Sequence, residues 1–237
     1  VIRGAQNTGN TAAPAVSSSS SANNQAERRG FFSRVFHGSK TNPTAANASQ
    51  QQMLPVAPTP EPKPVSYPRY PYHSIAKPVS GNRTTAMQAF VDGSRAQQEK
   101  QLPEAATAYR KAIQLDPSYF EAYYNLGVVS VQSGNVAAGL AAYETALALQ
   151  PDSHDARFNF ALALKQANYP ADAVSELEKV LAKSPSDVYA HYALANLYAQ
   201  QLRQTAKARE HYQKVLELNP SFSQAGTIRN WLGANPQ

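Results

Sequence analysis

The chain has no cysteine, which rules out disulfides, thiol catalysis and cysteine-bound zinc and leaves the redox compartment open. Its five histidines, His37, His73, His154, His191 and His211, form no metal-spaced set, so neither a metal nor a cofactor is expected. Glycine-rich phosphate loops, a Gly-x-Ser-x-Gly elbow and a His-Glu-x-x-His pair are all missing, which argues against a dedicated catalytic site. No apolar run reaches the length of a membrane-spanning helix. Acidic residues are scarce in one region only. Residues 1–85 hold nine of the 22 Lys and Arg but two of the 16 Asp and Glu, and the rest of the chain is nearly neutral. The basic balance therefore belongs to the N-terminal third and is no argument for a nucleic-acid-binding domain.

The same 85 residues carry ten of the 17 prolines, the run Ser17 to Ser21, and an Asn/Gln/Ala/Thr background without apolar periodicity. Such a composition buries too little surface to offset its chain entropy, so a disordered tail is expected. Within it, Pro58 to Pro64 reads as an extended spacer. One stretch stands apart: Arg28, Arg29, Arg34 and Lys40 are interleaved with Phe31, Phe32, Val35 and Phe36. In a helix these rings would share a face, suited to an anionic membrane surface or a partner's groove; the plain alternative is an unused patch of tail. The chain opens on Val1 rather than Met, and the long tail reads as a tether, which favours a bacterial envelope over the cytoplasm.

Beyond residue 85 the pattern changes. Pro117, Pro151, Pro185 and Pro220 follow one another at intervals of 34, 34 and 35 residues. With each proline taken as the thirty-second residue of a unit, small residues recur at the eighth place (Gly93, Gly127, Ala161, Ala195) and the twentieth (Ala105, Gly139, Ala173, Ala208). Large side chains recur at the twenty-fourth: Tyr109, Tyr143, Leu177 and Tyr212. A period of this size marks stacked helical hairpins, each burying its apolar face against its neighbours. The units are 86–119, 120–153, 154–187 and 188–222, followed by a capping helix over 223–233 that carries Trp231. Pro103 and Pro170 fall in the first turn of second helices, where a missing N–H is harmless. Ser118, Asp152, Ser186 and Ser221 are expected to cap the helices that follow the prolines. The fourth unit has one extra residue near Gln201-Leu202, expected to lengthen its turn. The cluster Tyr67-Pro68-Arg69-Tyr70-Pro71-Tyr72-His73 is expected to fold back over the first unit and cover its edge.

The fragment Tyr123-Tyr124-Asn125-Leu126-Gly127, followed by Ala142-Tyr143 and Pro151, resembles the tetratricopeptide repeat family. That resemblance implies an all-α, right-handed solenoid whose first helices line a concave groove. Carried over, the fifth place of each first helix reads Phe90, Tyr124, Phe158 and Tyr192, and the thirteenth Gln98, Gln132, Gln166 and Gln200. The sixth gives Asn125 and Asn159, and the ninth Val128, Leu162 and Asn196. Lys165 alone is basic among the groove places, so the family's clamp for a terminal carboxylate is not expected. The two asparagines are similar to the ladder with which the repeats of protein O-linked N-acetylglucosamine transferases hold peptide backbone. The implied function is a non-catalytic scaffold that grips a peptide or helix of another protein. Two alternatives stay open: a membrane-tethered envelope assembly factor using the Arg28–Lys40 patch, and an accessory segment of a larger enzyme. The bland reading of the row is half-buried packing with solvated glutamines, and the oligomeric state is open.

Overall fold

The computed structural model describes residues 66–236. Among these residues the chain forms nine α-helices and no strand. They pair as α1 (Arg83–Gln98) with α2 (Leu102–Leu115), α3 (Phe120–Gln132) with α4 (Val136–Leu149), and α5 (His154–Gln166) with α6 (Pro170–Lys183). The fourth pair is α7 (Val188–Asn196) with α8 (Thr205–Leu218), and α9 (Ala225–Ala234) follows. Each hairpin packs within itself and each second helix packs on the next first helix, which is an α-solenoid. Ala225 and Ile228 are buried where α9 meets α8, and the Trp231 ring lies 4.9 Å from that of Tyr212.

The recurring small and large residues are two sides of one contact. A Cβ on Gly93 would lie 2.8 Å from the Tyr109 ring, and one on Gly127 only 2.6 Å from the Tyr143 ring. The missing side chain at the eighth place is what lets the ring of the second helix lie flat on the first. The prolines act on the residue before them, whose helical conformation clashes with the proline ring. Asp116, Gln150, Ser184 and Asn219 all end their helices by leaving the helical region, with φ of −140°, −130°, −134° and −145°. The joint between units is thus made four times in the same way.

Three details differ from the sequence reading. Capping falls one residue later than expected, because the residue after each proline is taken up by the turn. Ser153 and Asp187 cap α5 and α7, while Ser118 donates its hydroxyl to Asp116 and α9 begins at Ala225 without a side-chain cap. The extra residue of the fourth unit does not lengthen the turn. It is absorbed as a π-turn over Leu197–Gln201, where the Leu202 N–H reaches back five residues to the Leu197 carbonyl. Finally, α1 begins at Arg83, and its N-cap Asn82 accepts from the Thr85 N–H.

Each hairpin turn has one left-handed residue at the corresponding place: Lys100 (φ 62°), Gly134 (84°), Asn168 (63°) and Arg203 (54°). Only Gly134 and Asn168 are residue types that adopt this conformation readily. Lys100→Gly, at an exposed position, is expected to stabilise the protein by about 1 kcal/mol, read as a higher urea midpoint with an unchanged slope.

Candidate functional site

The sequence marks the first helices α1, α3, α5 and α7 as the site, and the structure distributes its thirteen residues unevenly. Phe158 and Leu162 are fully buried, and Tyr124, Val128, Asn159, Tyr192 and Asn196 are buried in the complete chain. Phe90, Asn125 and Gln132 are half-buried, and Gln98, Gln166 and Gln200 are exposed. The rings at the fifth place pack sideways: Phe90 stacks on Tyr119 at 4.9 Å, Tyr124 lies 6.2 Å from Tyr143, and Tyr192 lies 6.2 Å from Tyr212.

The asparagines are engaged as well. Asn159 donates its amide to the Tyr124 hydroxyl at 2.9 Å, joining the second unit to the third. Asn196 donates to the Tyr192 carbonyl at 2.8 Å and accepts from the Tyr212 hydroxyl at 3.1 Å. The Gln200 amide donates to Asn196 at 3.3 Å, although counting back from the left-handed turn residue puts Gln201 in register with Gln98, Gln132 and Gln166. Lys165 is buried, and desolvation pulls its ammonium down to about 8. What this face leaves to solvent is mainly a rim of amides.

A second set of contacts, on the side of the second helices, was missed by sequence reasoning. The cluster Tyr67–His73 does not cover the first unit. It runs as an irregular strap over the groove between α4 and α6, floored by α5. The Arg69 guanidinium donates to Asp172 Oδ1 from Nη2 at 2.7 Å and from Nε at 3.0 Å, and the Tyr70 N–H donates to Oδ2 at 2.9 Å. Glu144 accepts from the Tyr70 hydroxyl at 2.9 Å and from the His73 N–H at 2.9 Å. The Tyr72 hydroxyl donates to Glu176 at 3.3 Å, and that of Tyr67 to the Gln201 carbonyl at 2.6 Å. Edge-to-face contacts set the rings, with Tyr70 5.3 Å from Tyr169 and 5.8 Å from Phe160. Burial first, then the Glu144 contact, pushes the Tyr70 hydroxyl well above its ordinary range; burial and Glu176 do the same to Tyr72. Nothing local in the sequence marked these carboxylates, since the corresponding places of other units hold exposed polar residues: Glu104 and Lys207 for Asp172, and Arg110, Glu178 and Gln213 for Glu144.

The histidine pair His191 and His211, on α7 and α8, is brought together with 3.0 Å between Nδ1 atoms. Among the described residues no group of three metal-ligating side chains is assembled, and no helix is long and apolar enough to cross a membrane. The basic patch of Arg28 to Lys40 and the spacer Pro58 to Pro64 lie outside the described residues.

Stacked helical hairpins with a side-chain row along their first helices define a repeat-scaffold class of protein. Three family models match the chain: one described as TPR repeat over residues 97–134, and two described as Tetratricopeptide repeat over 130–197 and 188–222. The chain belongs to the tetratricopeptide repeat family. Comparison with curated proteins finds no match. Among solved structures it is similar to MamA at 21% identity, covering 64% of this chain and 84% of that one with a TM-score of 0.57. It is also similar to YrrB, described as a TPR protein with an unusual peptide-binding site, at 23% identity, 62% and 75% coverage and a TM-score of 0.57. MamA from Desulfovibrio magneticus RS-1 matches at 20% identity over 66% of this chain and 94% of that one, with a TM-score of 0.54. At these identities the likeness is one of fold.

Proposed function

We propose that the protein is a non-catalytic scaffold whose first-helix face binds an extended or helical segment of another protein. The observation that carries this reading is the recurrence of one ring and one amide along the first helices: Phe90 with Gln98, Tyr124 with Gln132, Phe158 with Gln166, and Tyr192 with the Gln200-Gln201 pair, of which Gln201 is the one in structural register. The rings pack inward and fix the spacing of the helices, whose stacking sets out the amides at a regular interval, and amides can both donate to and accept from a peptide backbone. Family membership and the peptide-binding description of YrrB support the same reading. Binding draws on the exposed amide rim first, because Tyr124 and Asn159 are covered in the complete chain.

The test compares affinity capture by the wild type with capture by Gln98→Ala/Gln166→Ala/Gln200→Ala, whose sites are exposed and whose fold is expected to be intact. A second variant, Tyr124→Ala/Asn125→Ala/Asn159→Ala, removes the inner row and is checked for helical content. Proteins retained by the wild type and lost from both variants are ligands of this face. Identical captured sets from all three proteins would place the binding site elsewhere.

A further inference from the structure

The strap is a peptide seated in a site. We propose that the groove between α4 and α6 is a docking site for an extended Arg-Tyr-Pro-Tyr segment, and that the strap of a second copy of this chain can occupy it in place of the resident one.

The groove is prepared for a ligand that the repeats do not supply. With the strap seated, Asp172 is 0% exposed and Glu176 2%, and Glu144 is likewise buried. Buried carboxylates are tolerated only when donors satisfy them. Glu176 has donors within the repeats, Arg157 at 2.6 Å and Lys179 at 2.7 Å. Asp172 and Glu144 do not: among the described residues every hydrogen bond to them comes from the strap. Among the described residues, two second helices thus hold acceptors whose donors are all on a segment outside the repeat fold.

The segment sits shallowly. The side chains of Arg69 and His73 are 70% and 67% exposed, and a cleft of about 270 Å³ stays open beside Tyr72 and His73. Its link to α1, Ser74 to Asn82, is largely exposed and has no regular structure. All its polar contacts with the two carboxylates come from side chains at positions 69, 70 and 73 and main-chain N–H groups at 70 and 73. A second chain with the same sequence offers the same donors in the same order. The guanidinium meets a carboxylate, so charge also selects the segment. The resident strap prevails through its high effective concentration, and weakening it hands the groove to another copy.

Two full-length variants test this. Arg69→Ala/Tyr70→Ala keeps the groove and spoils the strap; Glu144→Gln/Asp172→Asn keeps the strap and spoils the groove. Each alone is expected to sediment as a single chain, and their equimolar mixture as a complex of two. A synthetic peptide of residues 66–76 is expected to bind the strap-deficient variant about tenfold or more tighter than the wild type, and to dissolve the mixed complex. A mixture that sediments as single chains, or a peptide that binds both proteins alike, overturns the proposal. So does loss of helical circular dichroism in the strap-deficient variant, since the strap would then be an inseparable part of the fold.

Discussion

Gly127→Leu is expected to destabilise the protein by about 3 kcal/mol, at the upper end of the range for overpacked cores. The Tyr143 ring that the new Cβ would meet at 2.6 Å is itself buried between hairpins and has no room to withdraw. Leucine adds three carbons beyond that clashing atom, so either α3 and α4 part or the ring turns into α5. Gly127→Ala is the informative comparison. It gains up to about 1 kcal/mol of helix propensity against the same Cβ contact, so its loss is expected to be much the smaller. Denaturant unfolding of the three proteins gives the ordering directly. Equal stability of wild type and the leucine variant would mean that the hairpin is looser than the contact implies.

Asp116→Ala is expected to cost a further-reaching loss, about 3 kcal/mol, because several hydrogen bonds converge on one buried charge. Its carboxylate accepts from the Gly81 N–H at 2.9 Å, from the Ser118 N–H at 3.0 Å and hydroxyl at 2.7 Å, and from the Arg83 guanidinium. Arg83 in turn lies over the Tyr119 ring, 3.9 Å from its centre. Burial alone would raise the carboxyl; the bonds from Gly81, Ser118 and Arg83 outweigh it and hold the group well below the usual carboxylate range. The unfolded chain therefore binds the proton more readily. The contribution of Asp116 is complete above about pH 4 and is lost as the pH falls towards the folded value. Urea midpoints followed from neutral to acid pH are expected to fall more steeply for the wild type than for Asp116→Asn. Parallel profiles would assign the acid sensitivity to other groups.

How far the fold was legible follows from where each piece of information lies. Pro117, Pro151, Pro185 and Pro220 act on their immediate neighbours, and Gly93 and Gly127 on a ring sixteen residues away in the same hairpin, so both left a periodic trace. Capping went astray by one residue because Ser118, Asp152 and Ser186 are all competent caps by type. Backbone geometry, not composition, decides that Ser153 and Asp187 carry out the task. The π-turn at Leu197–Gln201 was visible as one surplus residue, but an insertion in the helix and one in the turn look alike in a count.

The site was harder. Residue offsets place Tyr124 and Asn159 on one face, yet whether such groups stay open depends on the bond between them, which no spacing records. The strap's partners are more than seventy residues away, at Glu144, and beyond a hundred at Asp172 and Glu176. Contacts at that range leave no local pattern.

Arrays of this kind ordinarily come apart unit by unit, since each hairpin feels only those beside it. Here one short segment ties α4, α6 and the π-turn that follows α7 to a single stretch of chain. Fraying that starts at any of these places also loosens a segment held by the others, so the middle of the array is expected to melt more nearly as a block than as a row of independent links.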